Sequence, residues 1–127
     1  LDLSLKLKAD GVYLSSYNKS FKPLFFKKVH FNIIGSAHND KEIIQKIKQG
    51  CEYIILSKLF KVNYSKKSPY LGLIKFNNYS YKFKNKLIPL GGIKIKNLNK
   101  LKHVKCDGMV LLSEIKKKPA KIINRLF

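Results

Sequence analysis

Leu87–Ile115 reads LIPLGGIKIKNLNKLKHVKCDGMVLLSEI, and its pattern sets the fold class. Leu87, Ile88 and Leu90 form a short apolar run that stops at Gly91-Gly92, where the chain can turn tightly and expose amide groups. Asn97 stands where a helix cap is wanted, and Leu98, Leu101 and Val104 recur every third residue on one face of the short helix that follows. A second buried run, Met109 to Leu112, ends in Ser113. The pattern is strand, glycine turn, helix, strand: a βαβ unit with small, hydrogen-bonding residues at the carboxyl ends of both strands. In α/β folds that edge is where ligands bind.

The same grammar repeats outward from this unit. ADGVYLSS from Ala9, CEYIILSK from Cys51 and CDGMVLLSE from Cys106 each place a small residue and an acid before an apolar run of strand length, with a serine just past it. Each reads as a buried parallel strand presenting a hydroxyl at its carboxyl end. Phe31–Ile34, ending in Gly35-Ser36-Ala37-His38, is a further strand, and Leu87–Leu90 completes a count of five.

The clearest helix is Asn39–Gln49. Asn39 with Glu42 makes a capping box, Ile43, Ile44 and Ile47 form one stripe, and Gly50 closes the end. Its amino terminus follows His38 directly, so free amides and a partial positive charge lie beside that imidazole and favour its neutral form. Leu1–Lys8 alternates like a strand but equally fits the tail of a helix. Lys61–Leu71 is a polar loop, Ile74–Phe83 a short helix weakened by Asn77-Asn78, and Pro119–Phe127 a last helix with Ile122, Ile123 and Leu126 on one face.

Alternating strands and helices predict parallel strands with right-handed crossovers. Two α/β architectures fit, an open doubly wound sheet or five units of a (β/α)8 TIM barrel. A complete barrel needs about 200 residues or more, beyond the 127 of this chain, which by size is one domain over residues 1–127.

Composition bounds the function classes. With 45% hydrophobic residues the chain is globular. It has no apolar run of about 18 residues and no leader-like segment, which predicts a soluble, cytoplasmic protein with no membrane partner. Cys51 and Cys106 both open apolar runs without metal-like spacing and read as small buried residues in a reducing compartment. The formal charge of +20 suggests a polyanion partner, but the cations are scattered lysines with Arg125 the sole arginine, alongside abundant Ile, Asn, Tyr and Phe. That profile is what an A+T codon bias gives, and base-reading surfaces favour arginine's fork. The reading is therefore no specific nucleic-acid partner, with weak non-specific adhesion to polyanions.

ADGVYLSS, IGSAHN, EYIILSKLF, IPLGGI with NLNKL, and DGMVLLSEI stand in an order and spacing that resembles the thiamine phosphate synthase family, which includes the thiazole tautomerases. The resemblance spans the whole chain and implies a (β/α)8 barrel of which strands four to eight are present. It implies an enzyme of thiamine biosynthesis, a transferase that joins an aminopyrimidine methyl diphosphate to a thiazole phosphate and expels diphosphate with help from Mg²⁺. The small-molecule partners would be those phosphorylated pyrimidines and thiazoles. Ser36 matches a family serine that contacts the pyrimidine. Gly91 and Gly92 match the turn whose amides receive the thiazole phosphate, and Leu112-Ser113 match the amides completing that cup.

Two departures accompany these matches. Asn18 stands where the family ends its fourth strand with a metal-binding aspartate, and it offers a carbonyl oxygen but no charge. In the loop that usually reads Thr-x-Thr-Lys, Val62 and Tyr64 take the threonine places and Ser65 the lysine place, with Lys66 and Lys67 one and two later, of which Lys66 could reach a diphosphate if the loop slips. In the tautomerase branch a histidine at the place of His38 moves the proton on the thiazole, and histidine chemistry suits that role. His30 and His103 read as surface residues. Three functions follow as alternatives: a synthase-like transferase, a tautomerase using His38, and a phosphate-binding relative without catalysis. A barrel without three strands exposes two edges and part of its interior, so the chain is expected either to self-associate or to be a fragment of a longer frame.

Overall fold

The amino-terminal apolar alternation, which left strand and helix open, forms helix α1 over Asp2–Lys6 in the computed structural model, which describes residues 2–23, 31–62, 67, 69–84 and 86–111. The chain divides into two compact units, Leu1–Leu56 and Ser57–Phe127.

In the first unit, strands β1 (Gly11–Leu14), β2 (Asn32–Ala37) and β3 (Tyr53–Ser57) pair in parallel. The register runs from Gly11 opposite Asn32 to Leu14 opposite Gly35, and from Ile34 opposite Tyr53 to Ala37 opposite Leu56. Parallel strands cannot be joined by a tight hairpin, and helix α2 (Asp40–Lys48) supplies the crossover from β2 to β3. Period-two side-chain alternation sorts the strand residues into two faces. Leu14, Gly35 and Ile54 form a buried row on one of them, with Ile33, Ala37 and Leu56 also buried. Tyr13, Ile34 and Tyr53 form the row on the other and are 57%, 37% and 41% exposed.

Helix α2 packs on β2. A Cβ at Gly35 would lie 2.8 Å from the Cys51 sulfur and 2.8 Å from Cδ of Lys46, so the approach of helix to strand requires glycine there. The α2 stripe differs from the expected one. Ile43 is wholly buried and Ile47 half-buried, but Ile44 is 41% exposed, and the remaining inward places belong to Lys46 and Gln49. The phase explains this: Lys46 follows Ile43 by three residues and Gln49 follows Lys46 by three, a spacing that repeats one face of a helix.

In the second unit, helix α3 (Gly72–Lys82) packs against strand β4 (Leu87–Leu90) with Phe76 and Leu87 wholly buried. The Asn77-Asn78 pair does not break α3, because Asn77 has tertiary partners. Its amide donates to the His103 carbonyl at 2.7 Å, and its oxygen accepts from the Lys105 amide at 2.9 Å. His103 is exposed, as read.

The element after Gly91-Gly92 is a 3₁₀ helix over Ile95–His103, not an α-helix. Ile95, Leu98, Leu101 and Val104 are spaced by exactly three, which suits three residues per turn and would drift around an α-helix. Asn97 is not its cap: the chain enters at Lys94, and Asn97 lies one turn in, where its side chain reaches back to the Lys94 amide at 2.7 Å. The expected strand Met109–Leu112 reduces, among the described residues, to one parallel bridge of Val110 with Leu90, and Val110 donates to the Pro89 carbonyl at 3.0 Å. Of the two cysteines only Cys51 is buried; Cys106 is half-buried, and neither is in a disulfide. His30 and the helix read over Pro119–Phe127 lie outside the described residues. No described helix is long and apolar enough to cross a membrane.

Candidate functional site

Each unit presents chemistry at the carboxyl ends of its strands. In the first, β2 ends at Ala37 and passes through His38 and Asn39 into α2. Ser36 is half-buried opposite Ile55. Asn39 caps α2, its oxygen accepting the Glu42 amide at 3.0 Å, a contact worth about 1 kcal/mol. The Glu42 carboxylate completes the box one residue early. Its Oε2 accepts the His38 amide at 2.8 Å and meets His38 Nδ1 at 3.0 Å, while Oε1 accepts from the Asn39 side chain at 2.9 Å.

Burial pushes the Glu42 carboxyl up, but the hydrogen bonds from the His38 amide and ring and from Asn39, with the charge of His38, hold it below its ordinary value. Glu42 is thus an anion at neutral pH and can only accept, so Nδ1 carries the proton in this contact and Nε2 of a neutral ring keeps its lone pair. The histidine expected beside a bare helix terminus therefore has a carboxylate partner that the sequence reading left out.

Behind the loop that follows β1 lies a polar cluster that the apolar-stripe reading also missed. The ammonium of Lys46, on a residue with no exposed surface, donates to the Asn18 carbonyl at 2.7 Å and to Gln49 Oε1 at 2.9 Å. The Gln49 amide donates to the same Asn18 carbonyl at 3.0 Å and to that of Ser20 at 2.7 Å. Two helix side chains thus fix the main chain at Asn18–Ser20.

This arrangement does not fit Mg²⁺. The Asn18 side-chain oxygen already accepts the Ser20 amide at 2.9 Å, and a buried ammonium stands behind its carbonyl. Among the described residues no three His, Cys, Asp or Glu side chains converge, and Asn18 supplies no carboxylate of the kind through which Mg²⁺ is usually held together with water and substrate phosphates.

In the second unit the glycine turn is built from both sides. Leu59 donates to the Leu90 carbonyl at 2.9 Å and Phe60 to that of Gly91 at 3.0 Å, while Leu71 and Gly72 donate back to Lys58 and Leu59 at 2.9 and 3.0 Å. Lys58–Phe60 is therefore held between two main-chain segments. Gly91 and Gly92 have φ of +97° and +69°. A Cβ at Gly92 would strike the Phe60 carbonyl and come within 2.7 Å of the Lys61 carbonyl oxygen. Asn97 locks the exit, its amide donating to the Gly92 carbonyl at 2.8 Å. A cavity of about 480 Å³ opens here, walled by Phe60–Val62 and Gly92 on one side and by Lys94, Lys96, Asn97 and Lys100 on the other. Val62 is buried, so the residue in the family's threonine place packs rather than hydrogen-bonds. Lys66, Tyr64, Ser65, Leu112 and Ser113 lie outside the described residues.

A family model described as thiamine monophosphate synthase matches residues 1–115. A thiamine-phosphate synthase of Prochlorococcus marinus is 30% identical over 115 residues, covering 90% of this chain and 33% of the relative. A putative thiamine-phosphate synthase 2 of Aquifex aeolicus is 35% identical over 94 residues, 72% of this chain and 50% of the relative. The chain thus spans a third to about half of the length of the curated relatives it matches. Among solved structures, a thiamine phosphate pyrophosphorylase from Pyrococcus furiosus superposes with a TM-score of 0.71 at 19% identity over 99% of this chain and 65% of that one, a likeness of fold.

Proposed function

This chain belongs to the thiamine monophosphate synthase family, and on that premise we propose that it is the substrate-holding part of a thiamine phosphate synthase-like transferase, seen as five units of a (β/α)8 barrel. The observation that carries the reading is the match across residues 1–115, which includes the glycine turn and the Ser36–His38 strand end. The bare row Tyr13–Ile34–Tyr53 supports the barrel, since parallel sheets are covered on both faces and a barrel interior would cover this one.

In this reading the transferase forms a carbon–nitrogen bond between the pyrimidine methylene and the thiazole nitrogen and releases diphosphate. Ser36 offers a half-buried hydroxyl to the pyrimidine. The Gly91-Gly92 turn, with Leu112 and Ser113, receives the thiazole phosphate on main-chain amides. No step is routed through a metal on Asn18, whose surroundings do not suit one. The protein carrying this chain is expected to bind thiazole phosphate and to yield thiamine phosphate when aminopyrimidine methyl diphosphate is added. Absence of both binding and product would overturn the assignment. Product formation that survives His38→Ala would set aside the proton-shuttle alternative.

A further inference from the structure

The loop that follows β1 is fixed by a cation that belongs to the protein. The Lys46 ammonium donates to the Asn18 carbonyl at 2.7 Å and to Gln49 Oε1 at 2.9 Å, and the lysine has no exposed surface. Both acceptors are uncharged, so these hydrogen bonds satisfy the ammonium without neutralising it. The Gln49 amide donates to the same Asn18 carbonyl at 3.0 Å and to the Ser20 carbonyl at 2.7 Å. A carbonyl oxygen has two lone pairs, and at Asn18 both are taken by these two donors. The Asn18 side-chain oxygen accepts the Ser20 amide at 2.9 Å, which leaves one lone pair on a neutral oxygen for any outside cation. Residues 18–20 are Asn, Lys and Ser, with no carboxylate among them. Glu42, the acid nearest to Lys46 along α2, directs its two oxygens to His38 and Asn39. A divalent ion here would also face the ammonium, and two cations repel more strongly in a buried pocket, where the effective dielectric is about 20, than in water at about 80.

We propose that the buried Lys46 ammonium, with Gln49, is the resident cation of the Asn18–Ser20 loop and takes the place of a divalent metal there, so that the order of this loop does not depend on Mg²⁺. The proposal rests on the family reading for the aspartate place that Asn18 occupies. It goes beyond the misfit with Mg²⁺ by naming what does the metal's work of drawing the oxygens of the turn together. Lys46 is a positioning residue in this account: wholly buried, it acts on the carboxyl end of β1 only through the main chain that it holds. The departure at Asn18 thereby gains a counterpart on α2, a lysine and a glutamine on the inward face where an apolar stripe was expected.

The test follows the amide resonances of Asn18 and Ser20 in the full-length protein that carries this chain, at constant ionic strength. In the native protein Mn²⁺ is expected to leave both resonances unbroadened, and millimolar Mg²⁺ to leave the hydrogen exchange of the Ser20 amide unchanged. Broadening at Asn18 and Ser20 would overturn the proposal. Lys46→Met is expected to speed exchange at the Ser20 amide about tenfold, and an unchanged rate would show that the lysine does not order the loop. A restored carboxylate isolates the charge effect from folding. Asn18→Asp combined with Lys46→Met is expected to take up Mn²⁺ at the loop about tenfold more tightly than Asn18→Asp alone, because the opposing ammonium is gone. Equal Mn²⁺ affinity in the two variants would mean that Lys46 is no rival to a metal, and the proposal would fall. Thiazole phosphate binding is measured on the same native sample. Its absence would count against the transferase reading while a metal-indifferent loop upheld the role of Lys46, and Mn²⁺ at the loop of a protein that binds thiazole phosphate would do the reverse.

Discussion

The ammonium of Lys46 lies 2.7 Å from the main-chain carbonyl oxygen of Asn18, with no surface of the lysine exposed. The partnership includes Gln49, which shares that carbonyl and accepts from the same ammonium. Burying a cation is costly unless its hydrogen bonds are made, so removing one partner should hurt more than removing both. Gln49→Leu, which leaves Lys46 with one acceptor, is expected to lower stability by about 2 kcal/mol. Lys46→Met combined with Gln49→Leu is expected to lower it by less than the sum of the single changes. Chemical denaturation of the four proteins measures the coupling, and strict additivity would show that the two side chains act independently.

The same burial makes stability depend on alkaline pH. Burial pushes the Lys46 ammonium below its ordinary value of 10.5, only partly offset by the charges of Cys51 and Glu42. Below the folded-state value, lysine is charged in both states and the desolvation cost is carried in full. As pH rises from there towards 10.5, the folded state gives up its proton first and the cost is relieved. The stability of the native protein relative to Lys46→Met is therefore expected to rise with pH in the window just below 10.5. Midpoints for both proteins across pH 8 to 10.5 decide it, and a constant difference would mean that the ammonium is not desolvated.

Glu42 has the opposite dependence. Its carboxyl is held below the ordinary value of 4.5, so its contribution is present above that value and is lost as pH falls through the folded one. Glu42→Gln is expected to reduce the stability of the native protein at pH 6, and the deficit is expected to shrink as pH falls from 5 to 3. Asn39→Ala should cost about 1 kcal/mol and narrow less, because the cap oxygen is an uncharged acceptor and only the Asn39 amide, which donates to Glu42 Oε1, is tied to the carboxylate's charge. A deficit for Glu42→Gln that is the same at pH 6 and pH 3 would assign the contact to hydrogen-bonding shape rather than charge.

These dependences mark where sequence and structure part company. Short apolar runs bounded by turn residues located the three strands that pair in the first unit, and Asn39 with Glu42 fixed the start of α2, because both signals are local. Lys46 escaped notice because a hydropathy stripe treats lysine as an outward residue, whereas its neighbours at Asn18 and Gln49 make burial tolerable. The 3₁₀ helix was legible in principle, since Ile95, Leu98, Leu101 and Val104 never break the three-residue step. The presence of Lys61 and Lys100 on the wall of one cavity was not, because it depends on the main-chain bond that ties Phe60 to Gly91. Likewise Asn77 read as weakening its helix until its partners at His103 and Lys105 could be seen.

Gly92 offers the sharpest test of the second unit. It combines a φ of +69° with main chain on the side where a Cβ would project, the Phe60 carbonyl carbon lying 2.6 Å from that point. Strain alone costs an L-residue there about 1 kcal/mol, but a carbonyl held by the Phe60–Gly91 and Leu59–Leu90 bonds cannot step aside without breaking them. Gly72 has a similar φ of +74° with open space around it, so it carries the strain without the collision. Gly92→Ala is therefore expected to destabilise by about 2 kcal/mol or more and to abolish thiazole phosphate binding. Gly72→Ala should cost about 1 kcal/mol and leave binding intact. Equal losses for the two would mean that backbone conformation alone, and not the closed wall behind Gly92, sets the shape of the pocket.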